Sequence, residues 1–312
     1  MKFVLKKFVS LAFIFITLFS AIVFPSSADT GPKPSVRVNF KNMGDELCYG
    51  TLLSEHPSTG PSSVWDGNED HAQHKDNEDY AWVNTPYEVW YALVNYADSD
   101  GYYFLQDSVW QVNETKELSW TYYPPSRFKI LLYYPESNTF AASGICERYA
   151  FDSYYTVDMD GVNMGSVEYD DSLSSNDRLN AYKSYKWQGE FFSLLARIGI
   201  TIAVEMLIAL LFKFKGKDAL ILLATVNTAT QVILNLLLNL INFKSGELSF
   251  IFGYLGIELL IFIVEAFIYS VFLKRIDYMQ KTKTFYIIYS LAANTASFIV
   301  GLGIALVIPG IF

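Results

Sequence analysis

The sequence predicts an α+β protein, in which an antiparallel β-sandwich with a helical insertion precedes an all-α bundle of four transmembrane helices. Of its 312 residues, 52% are hydrophobic and only 18% are charged. This balance excludes both an ordinary soluble domain and a disordered chain. The apolar residues concentrate in residues 1–28 and after residue 188, while the stretch between them carries most of the charge. The chain therefore divides into a leader, a polar exported domain and a membrane domain.

Residues 1–28 have the layout of a secretory signal peptide. Three lysines precede an apolar run from Phe8 to Phe24, and small residues then lead to Ala28. This layout predicts cleavage after Ala28, with an uncleaved N-terminal anchor as the alternative. In either case we expect the chain from residue 29 onward to begin outside the cytoplasm.

Residues 29–188 form the predicted exported domain, which is strongly acidic. It contains 25 Asp and Glu against 11 Lys and Arg, so its net charge is −14. Such a charge repels nucleic acid, which we therefore do not expect as a partner. The domain requires no cofactor, although its charge is compatible with a bound divalent cation.

Alternation of apolar and polar residues predicts the strands of this domain. Turn signals such as Pro135–Asn138 separate several of them. The predicted strands are Ser35–Phe40, Tyr49–Ser54, Tyr102–Gln106, Leu118–Tyr123, Phe128–Tyr134, Thr139–Ala142 and Tyr149–Val157.

A single helix is predicted within the exported domain. Thr85 and Glu88 have the spacing of a capping box, and Pro86 suits the first helical position. Apolar residues then recur at helical spacing as far as Val94, and the helix should end near Ala97.

An acidic loop holds the candidate metal ligands Asp66, Asn68, Asp70, His71 and His74. The first three alternate as in a Ca²⁺-binding loop, but His71 stands where an EF-hand requires glycine. The histidines with neighbouring acids are a set that could hold a transition metal instead. The alternative is a solvated surface loop without a metal.

Aromatic residues are concentrated in the exported domain, which holds all six Trp and 17 of the 22 Tyr. Trp65 and Trp82 flank the acidic loop and are the candidate ligand contacts, because flat rings give a large contact area. The alternative is that such rings fill the core. Cys48 and Cys146 are the only cysteines, and an oxidising exterior would permit a disulfide between them.

Four apolar runs reach the roughly 20 residues that span a bilayer. The loops after the first and third runs are rich in Lys and Arg, whereas the loop after the second is not. The positive-inside rule places the two basic loops in the cytoplasm and the C-terminus outside, as the signal peptide also requires. We therefore expect a multi-pass protein of the cell membrane, with the membrane domain at 189–312 and spans at 191–212, 219–241, 249–273 and 285–307.

The predicted spans carry polar residues at a common depth. From a rise of about 1.5 Å per residue, Glu205, Asn227, Glu265 and Asn294 all lie roughly 3–6 Å to the cytoplasmic side of the span midpoints. Gln231 follows Asn227 by one helical turn, on the same face. This layer is either structural, holding the helices together by hydrogen bonds, or a site for a proton, a cation or a small polar substrate.

A possible ion pair lies on the outer side of the layer. Arg197 in the first span and Glu258 in the third have similar predicted depths, and Glu258 shares a helix face with Glu265. A charge within a membrane usually pairs with another charge.

The segments Tyr122–Glu136, Ser143–Gly144 and Glu147–Tyr154 give the chain a resemblance to a known group of proteins. The chain resembles multi-pass membrane proteins of Gram-positive bacteria that carry an N-terminal exported domain. The resemblance covers most of the mature chain and implies the same layout and host type. That group has no assigned activity, so it implies no site residues.

Two hypotheses for function remain open. The first is an extracellular binding or sensing domain, whose partner is another envelope or membrane protein or a second copy of the chain. The second is a small transporter or permease-like component that uses the intramembrane Glu and Asn layer. An enzyme is less favoured, because the sequence lacks Walker A, G-x-S-x-G, H-E-x-x-H and G-x-G-x-x-G motifs.

Overall fold

The computed structural model describes residues 31–80, 82–106, 108–162, 179–185 and 187–307. The predicted signal peptide lies outside these residues. The protein has β-sheets in its N-terminal half and long apolar helices in its C-terminal half, which makes it an α+β protein. From Lys33 onward the chain packs as one unit.

The strands form two main sheets and one short hairpin. In chain order they are β1 (Ser35–Lys41), β2 (Tyr49–Ser54), β3 (Ser58–Thr59), β4 (Ser62–Ser63), β5 (Trp110–Gln111), β6 (Glu117–Trp120), β7 (Arg127–Tyr134), β8 (Thr139–Ala142), β9 (Cys146–Glu147), β10 (Asp152–Asp158) and β11 (Asn180–Lys183). The first sheet has the order β11-β10-β1-β6, and the second has the order β5-β2-β7-β8 with β9 also paired to β7. Strands β3 and β4 pair with each other.

The prediction of an antiparallel arrangement is wrong for one pair of strands. β1 and β10 run parallel, with Ser35 opposite Asp152. A parallel pair needs a long crossover connection, and here the chain between the two strands builds the second sheet. The predicted strand at Tyr102–Gln106 is also wrong, because these residues form only one bridge, between Tyr103 and Ser54.

Strand β7 is the centre of the N-terminal half because both of its faces are buried. Ile130 and Leu132 on one face join a core that contains Val38 of the first sheet. Leu131 and Tyr133 on the other face join a second core. A strand covered on both sides reads as a continuous apolar run, which is why alternation within β7 is weak.

The second core contains the helix predicted within this half. Helix α1 (Tyr87–Val94) buries Val89, Trp90 and Leu93 there. The helix follows Pro86 as expected, but Pro86 takes the cap position and no side chain caps the helix by a hydrogen bond. Helix α1 therefore covers the face of β7 that the first sheet leaves open.

Among the residues that the structure describes, three of the helices that follow α1 are long and apolar enough to cross a membrane. The labelled helices are α2 (Val112–Thr115), α3 (Trp187–Leu211), α4 (Lys217–Ile268) and α5 (Lys283–Val307). After Ile268 the chain of α4 continues in helical turns through Tyr269–Leu273 to Ile276.

Helix α4 is folded back on itself at Gly246, whose backbone is not helical. Thr230 and Glu265 are 35 residues apart, which in a straight helix is about 52 Å. Yet the Thr230 hydroxyl donates a hydrogen bond to the Glu265 carboxyl at 2.7 Å. The segments 217–245 and 247–268 are therefore antiparallel arms, which cover most of the second and third predicted spans.

The helical half has polar residues inside and apolar residues outside. Glu205 and Glu265 are at most 1% exposed, whereas Leu207, Ile233 and Phe267 are more than half exposed. This distribution of polar and apolar residues is the reverse of that in a water-soluble protein, and it suits a lipid environment. The helices therefore indicate membrane association.

Candidate functional site

The predicted polar layer is a hydrogen-bonded cluster between α3, both arms of α4 and α5. The Glu265 carboxyl lies at its centre. Its Oε1 accepts a hydrogen bond from Thr230 Oγ1 at 2.7 Å, and its Oε2 accepts one from Asn294 Nδ2 at 2.7 Å. Each oxygen of this carboxyl therefore has a donor, and the carboxyl joins the two arms of α4 to α5.

The second carboxyl of the cluster belongs to Glu205 on α3. Its Oε1 accepts a hydrogen bond from Ser297 Oγ at 3.2 Å, and it lies beside Glu265 and Asn227. Ser297 and Asn294 are three residues apart on α5, so they share one helix face. That single face of α5 thus contacts both carboxyls.

Tyrosine hydroxyls complete the cluster. Tyr269 donates to Asn227 Oδ1 across the two arms of α4, and Tyr289 donates to the main-chain oxygen of Glu205 at 3.4 Å. Sequence reasoning missed both tyrosines. Tyr269 follows Glu265 by one turn on the same face, which is the signal that could have identified it.

Four buried polar atoms of this region have no hydrogen-bond partner among the described residues. They are Glu205 Oε2, Asn227 Nδ2, Ser290 Oγ and Asn294 Oδ1. A buried polar group without a partner costs about 1–3 kcal/mol. The bonded groups position the cluster, and the Asn227 side chain lies close to the Glu205 carboxyl, so these two residues face each other.

A small cavity adjoins the cluster on the side of Arg197 and Glu258. Gln231 and Ser297 also line it, and its volume of about 10 Å³ is the size of one water molecule. Arg197 Nη2 donates to Asn239 Oδ1 at 3.5 Å. The structure thus places Arg197 and Glu258 on one cavity, and an ion pair between them stays a prediction.

A larger groove of about 520 Å³ lies beside α1 in the N-terminal half. Its walls are aromatic: Tyr87 and Tyr91 are stacked at 5.8 Å between ring centroids, and Tyr133 and Phe140 are stacked at 4.6 Å. The lining also contains Glu88, Asn95, Tyr96 and Asn138. Its volume is within the usual range for small-molecule sites.

The acidic loop does not gather its candidate ligands. His71 Nδ1 lies 2.9 Å from Asp66 Oδ2 at an exposed position, and this contact raises the pKa of His71. His74 instead points into the core, against Tyr87 and Trp90. Within the described ranges, no three His, Cys, Asp or Glu side chains come together as a metal-binding group.

Asn68 and Asp70 have local roles in the same loop. Asn68 Oδ1 accepts a hydrogen bond from the Asp70 main-chain N–H at 3.1 Å, and Asp66 Oδ1 accepts one from the Asn68 N–H at 2.9 Å. The hydrogen bond from the Asn68 N–H, together with the His71 contact, lowers the pKa of Asp66. The carboxylates and amides thus shape the loop itself.

The two candidate contact tryptophans differ in exposure. Trp82 is 74% exposed. Trp65 packs on the second core with its ring edge against Trp90, and its Nε1 donates to the Asn68 main-chain oxygen. Neither residue lines the groove beside α1.

The disulfide that the sequence permits is not formed, and both cysteines are free and buried. Tyr49 pairs with Tyr133 near one end of β7, which places Cys48 there, whereas Cys146 pairs with Phe128 near the other end. At about 3.3 Å per residue, these positions are roughly 20 Å apart. A disulfide requires Cα atoms within about 7 Å, so the two residues cannot bond.

A buried ion cluster in the N-terminal half was not predicted. Lys129 is 2% exposed, and its Nζ lies 2.5 Å from Asp98 Oδ1 and 3.0 Å from Asp100 Oδ2. Asp98 also accepts hydrogen bonds from the main chain of the turn that follows it. Lys129 therefore fixes that turn to β7, which gives it a structural role.

Comparison of the chain with known protein families, curated proteins and solved structures finds no match. The resemblance to membrane proteins of Gram-positive bacteria therefore stays a prediction.

Proposed function

We propose that this protein is a multi-pass membrane protein that presents an extracytoplasmic binding or sensing domain, with the groove beside α1 as its ligand site. In this proposal the exported domain is a β-sandwich with a helical insertion, and the helices cross the bilayer four times. The groove is the observation that carries the proposal, because its aromatic walls are open to solvent. Tyr87 is 38% exposed and Tyr91 is 51% exposed.

The groove chemistry favours an uncharged saccharide as the ligand. Exposed aromatic faces stack on sugar rings through a large flat contact. Asn95, Asn138 and Glu88 supply amide and carboxyl groups around the rings. The acidic domain disfavours an anionic ligand, because like charges repel.

The exported half contacts the helices at the point where α4 folds back. The Phe151 main-chain N–H donates to the Phe243 oxygen at 2.8 Å, and β10 begins at the next residue. Tyr185 packs its ring edge against the Phe243 ring at 5.5 Å. These contacts support transmission of a binding event from the sheets to the helices, and from there to a partner membrane protein or a second copy.

The placement of the loops supports the proposed topology. The basic loop at 213–218 lies against the basic loop at 274–283, since a side chain added at Gly216 would contact the Tyr278 ring. The exported half contacts the helices around Gly246, in the connection between the second and third predicted spans. Residues 29–188 and the C-terminus would then be extracytoplasmic and the basic loops cytoplasmic.

Ligand binding can be tested with the full-length protein in lipid nanodiscs, screened against neutral oligosaccharides and against unmodified peptides. The Tyr91→Ala variant should lose oligosaccharide binding at least tenfold. Tyr103→Ala is the matched control, because Tyr103 is 44% exposed but lies outside the groove. Binding of peptides alone would contradict the saccharide, and equal loss in both variants or no binding at all would contradict the groove as the site.

The alternative is a small transporter component that uses the intramembrane cluster. The four buried polar atoms without a partner favour it. Flux of a labelled cation into proteoliposomes, compared between the wild type and Glu205→Gln, tests this function. Equal flux in the two proteins would exclude Glu205 from a transport pathway.

A further inference from the structure

The two basic loops of the helical half carry an unbalanced positive charge. Residues 213–218 and 274–283 contain seven Lys and Arg against two Asp, a net charge of +5. Asp277 is buried, where its carboxyl accepts hydrogen bonds from the Tyr286 hydroxyl at 2.9 Å and the Met279 N–H at 3.2 Å. The ion pairs among the described residues involve none of the seven cations. All seven are exposed: Lys213, Lys215, Lys217, Lys274, Arg275, Lys281 and Lys283.

Contacts between the two loops join these cations into one basic surface. Phe214 is fully buried and stacks on Tyr286 of the other loop side at 6.1 Å between ring centroids. The Tyr286 hydroxyl accepts a hydrogen bond from the Lys281 N–H at 3.2 Å. A Cβ added at Gly216 would lie 3.1 Å from the Tyr278 ring, so the loops touch at this glycine as well. The main chains that carry the cations are therefore fixed to each other.

The basic surface lies at the ends of the apolar helices. Lys217 and Lys283 are the first residues of α4 and α5, and Lys213 follows the end of α3 by two residues. Leu211, at that end of α3, is 74% exposed, and Tyr278 of the second loop is 84% exposed. Exposed tyrosine is typical of the membrane–water interface, because its ring is apolar and its hydroxyl is polar. The surface thus has the position of the lipid headgroups in a bilayer around the helices.

We propose that this basic surface binds the headgroups of anionic phospholipids. Clusters of four to eight Lys and Arg directly beside membrane helices are typical of anionic lipid recognition. The headgroups form a layer, so the seven cations need not converge on one atom. This proposal rests on the proposed insertion of the helices into a bilayer, but not on which side the loops face or on the groove beside α1.

The short loops favour a lipid over a soluble polyanion as the partner. The longer loop, 274–283, continues directly from the helical turns after α4 and ends at the first residue of α5. The loops therefore keep their cations close to the helix ends. At physiological salt a charge acts over only about 8–10 Å, a range that includes the neighbouring headgroups.

The test uses the full-length protein in phosphatidylcholine vesicles that contain a trace of spin-labelled phosphatidylglycerol or spin-labelled phosphatidylcholine. The fraction of label immobilised at the protein gives the association of each lipid. In about 0.1 M NaCl the wild type should prefer phosphatidylglycerol at least about threefold. The preference should fall towards one in about 1 M NaCl, because the Debye length shortens from about 10 Å to about 3 Å.

Two lysines beside the stacked Phe214 and Tyr286 rings provide the variant. Lys215 follows Phe214 in the chain, and the Lys281 N–H donates to Tyr286. Lys215→Gln/Lys281→Gln should lower the preference for phosphatidylglycerol at least about twofold, because each cation near the surface adds to the attraction. Lys215→Arg/Lys281→Arg keeps both charges and should retain the preference of the wild type.

A matched control removes the same charge elsewhere. Lys75 and Lys244 are exposed and lie outside the basic loops, so Lys75→Gln/Lys244→Gln should bind both lipids as the wild type does. Flotation with the vesicles after a urea wash measures insertion of every variant. The helical circular dichroism signal shows that each variant is folded.

Four results would overturn the proposal. Equal association of the two lipids with inserted wild type would do so while leaving membrane insertion intact. An equal loss of preference in the control and in Lys215→Gln/Lys281→Gln, or no loss in either, would place the lipid contact elsewhere. A preference that is unchanged in high salt would show that charge does not select the lipid. Failure of the wild type to float with the vesicles would contradict insertion itself, and with it both this proposal and the proposed function.

Discussion

The fold-back of α4 depends on Gly246, and replacing this glycine should destabilise the protein strongly. Gly246 has φ 79° and ψ −179°, a conformation that is essentially restricted to glycine. A Cβ built at this position would lie 2.5 Å from Cε1 of the Phe151 ring. The Phe151 main chain is held by its hydrogen bond to Phe243, so relief of this contact requires rotation of the ring.

Two terms set the magnitude for Gly246→Ala. The backbone conformation costs a residue with a Cβ about 1–3 kcal/mol. Overpacking against the Phe151 ring adds about 1–3 kcal/mol. We therefore expect the free energy of unfolding to fall by about 2–6 kcal/mol in total. The double variant Gly246→Ala/Phe151→Ala removes the steric term, so its glycine substitution should cost only about 1–3 kcal/mol relative to Phe151→Ala.

The assay is unfolding by SDS in mixed micelles, followed by the helical circular dichroism signal. Gly256→Ala is the matched control, because it lies in the same helix and a Cβ there meets no atom within 4 Å. Alanine at that position should be neutral or stabilise by about 0.5–1 kcal/mol, since it favours helix more than glycine does. If Gly246→Ala unfolds within about 0.5 kcal/mol of the wild type, the proposed backbone constraint at the fold-back is refuted.

Three further predictions concern the N-terminal half. Lys129→Met leaves the buried Asp98 carboxylate without its cation and should lower the free energy of unfolding by about 3–5 kcal/mol. A loss below about 1 kcal/mol in a denaturant titration would contradict the structural role of Lys129. Burial raises the pKa of Cys48 to about 12 and also raises that of the second cysteine, Cys146. Neither thiol should therefore react with iodoacetamide at pH 8 in the folded protein, and rapid labelling would show that the thiols are accessible. The hydrogen bond to Asp66 raises the pKa of His71 above its ordinary 6.5, so this contact stabilises the loop below pH 6.5 and is lost as the pH rises through the raised pKa. In the Asp66→Asn variant, an NMR titration should show the pKa of His71 returning towards 6.5, and an unchanged pKa would contradict the pairing.

Local patterns predicted several elements with their correct bounds. The strands at Tyr49–Ser54 and Thr139–Ala142 begin and end at the predicted residues, and α1 follows Pro86 as expected. These elements are set by alternation, by turn residues and by proline, which act over a few residues. The parallel pairing of β1 with β10 could not be predicted in this way, because it joins residues more than 100 positions apart.

In the candidate site, too, some features could be predicted from the sequence and others could not. A constant helical rise was enough to place Glu205, Asn227, Glu265 and Asn294 at one depth. The helical rise could not identify the hydrogen-bond donor to each carboxyl oxygen, or the polar atoms that have no hydrogen-bond partner. These pairings depend on how the helices are rotated against one another. Nor could it identify the groove beside α1, whose walls come from separate elements.

The sequence by itself determined which parts of this chain are apolar, which part carries the acidic charge, and which polar residues occur in the long helices. These properties follow from composition and from helical or extended periodicity, which need no knowledge of distant contacts. Only the tertiary structure decided that the cysteines lie at opposite ends of β7, that α4 folds back at Gly246, and that Glu205 keeps an oxygen without a partner. The physical reason is that each of these results depends on the distance between residues far apart in the chain, and that distance is set by packing.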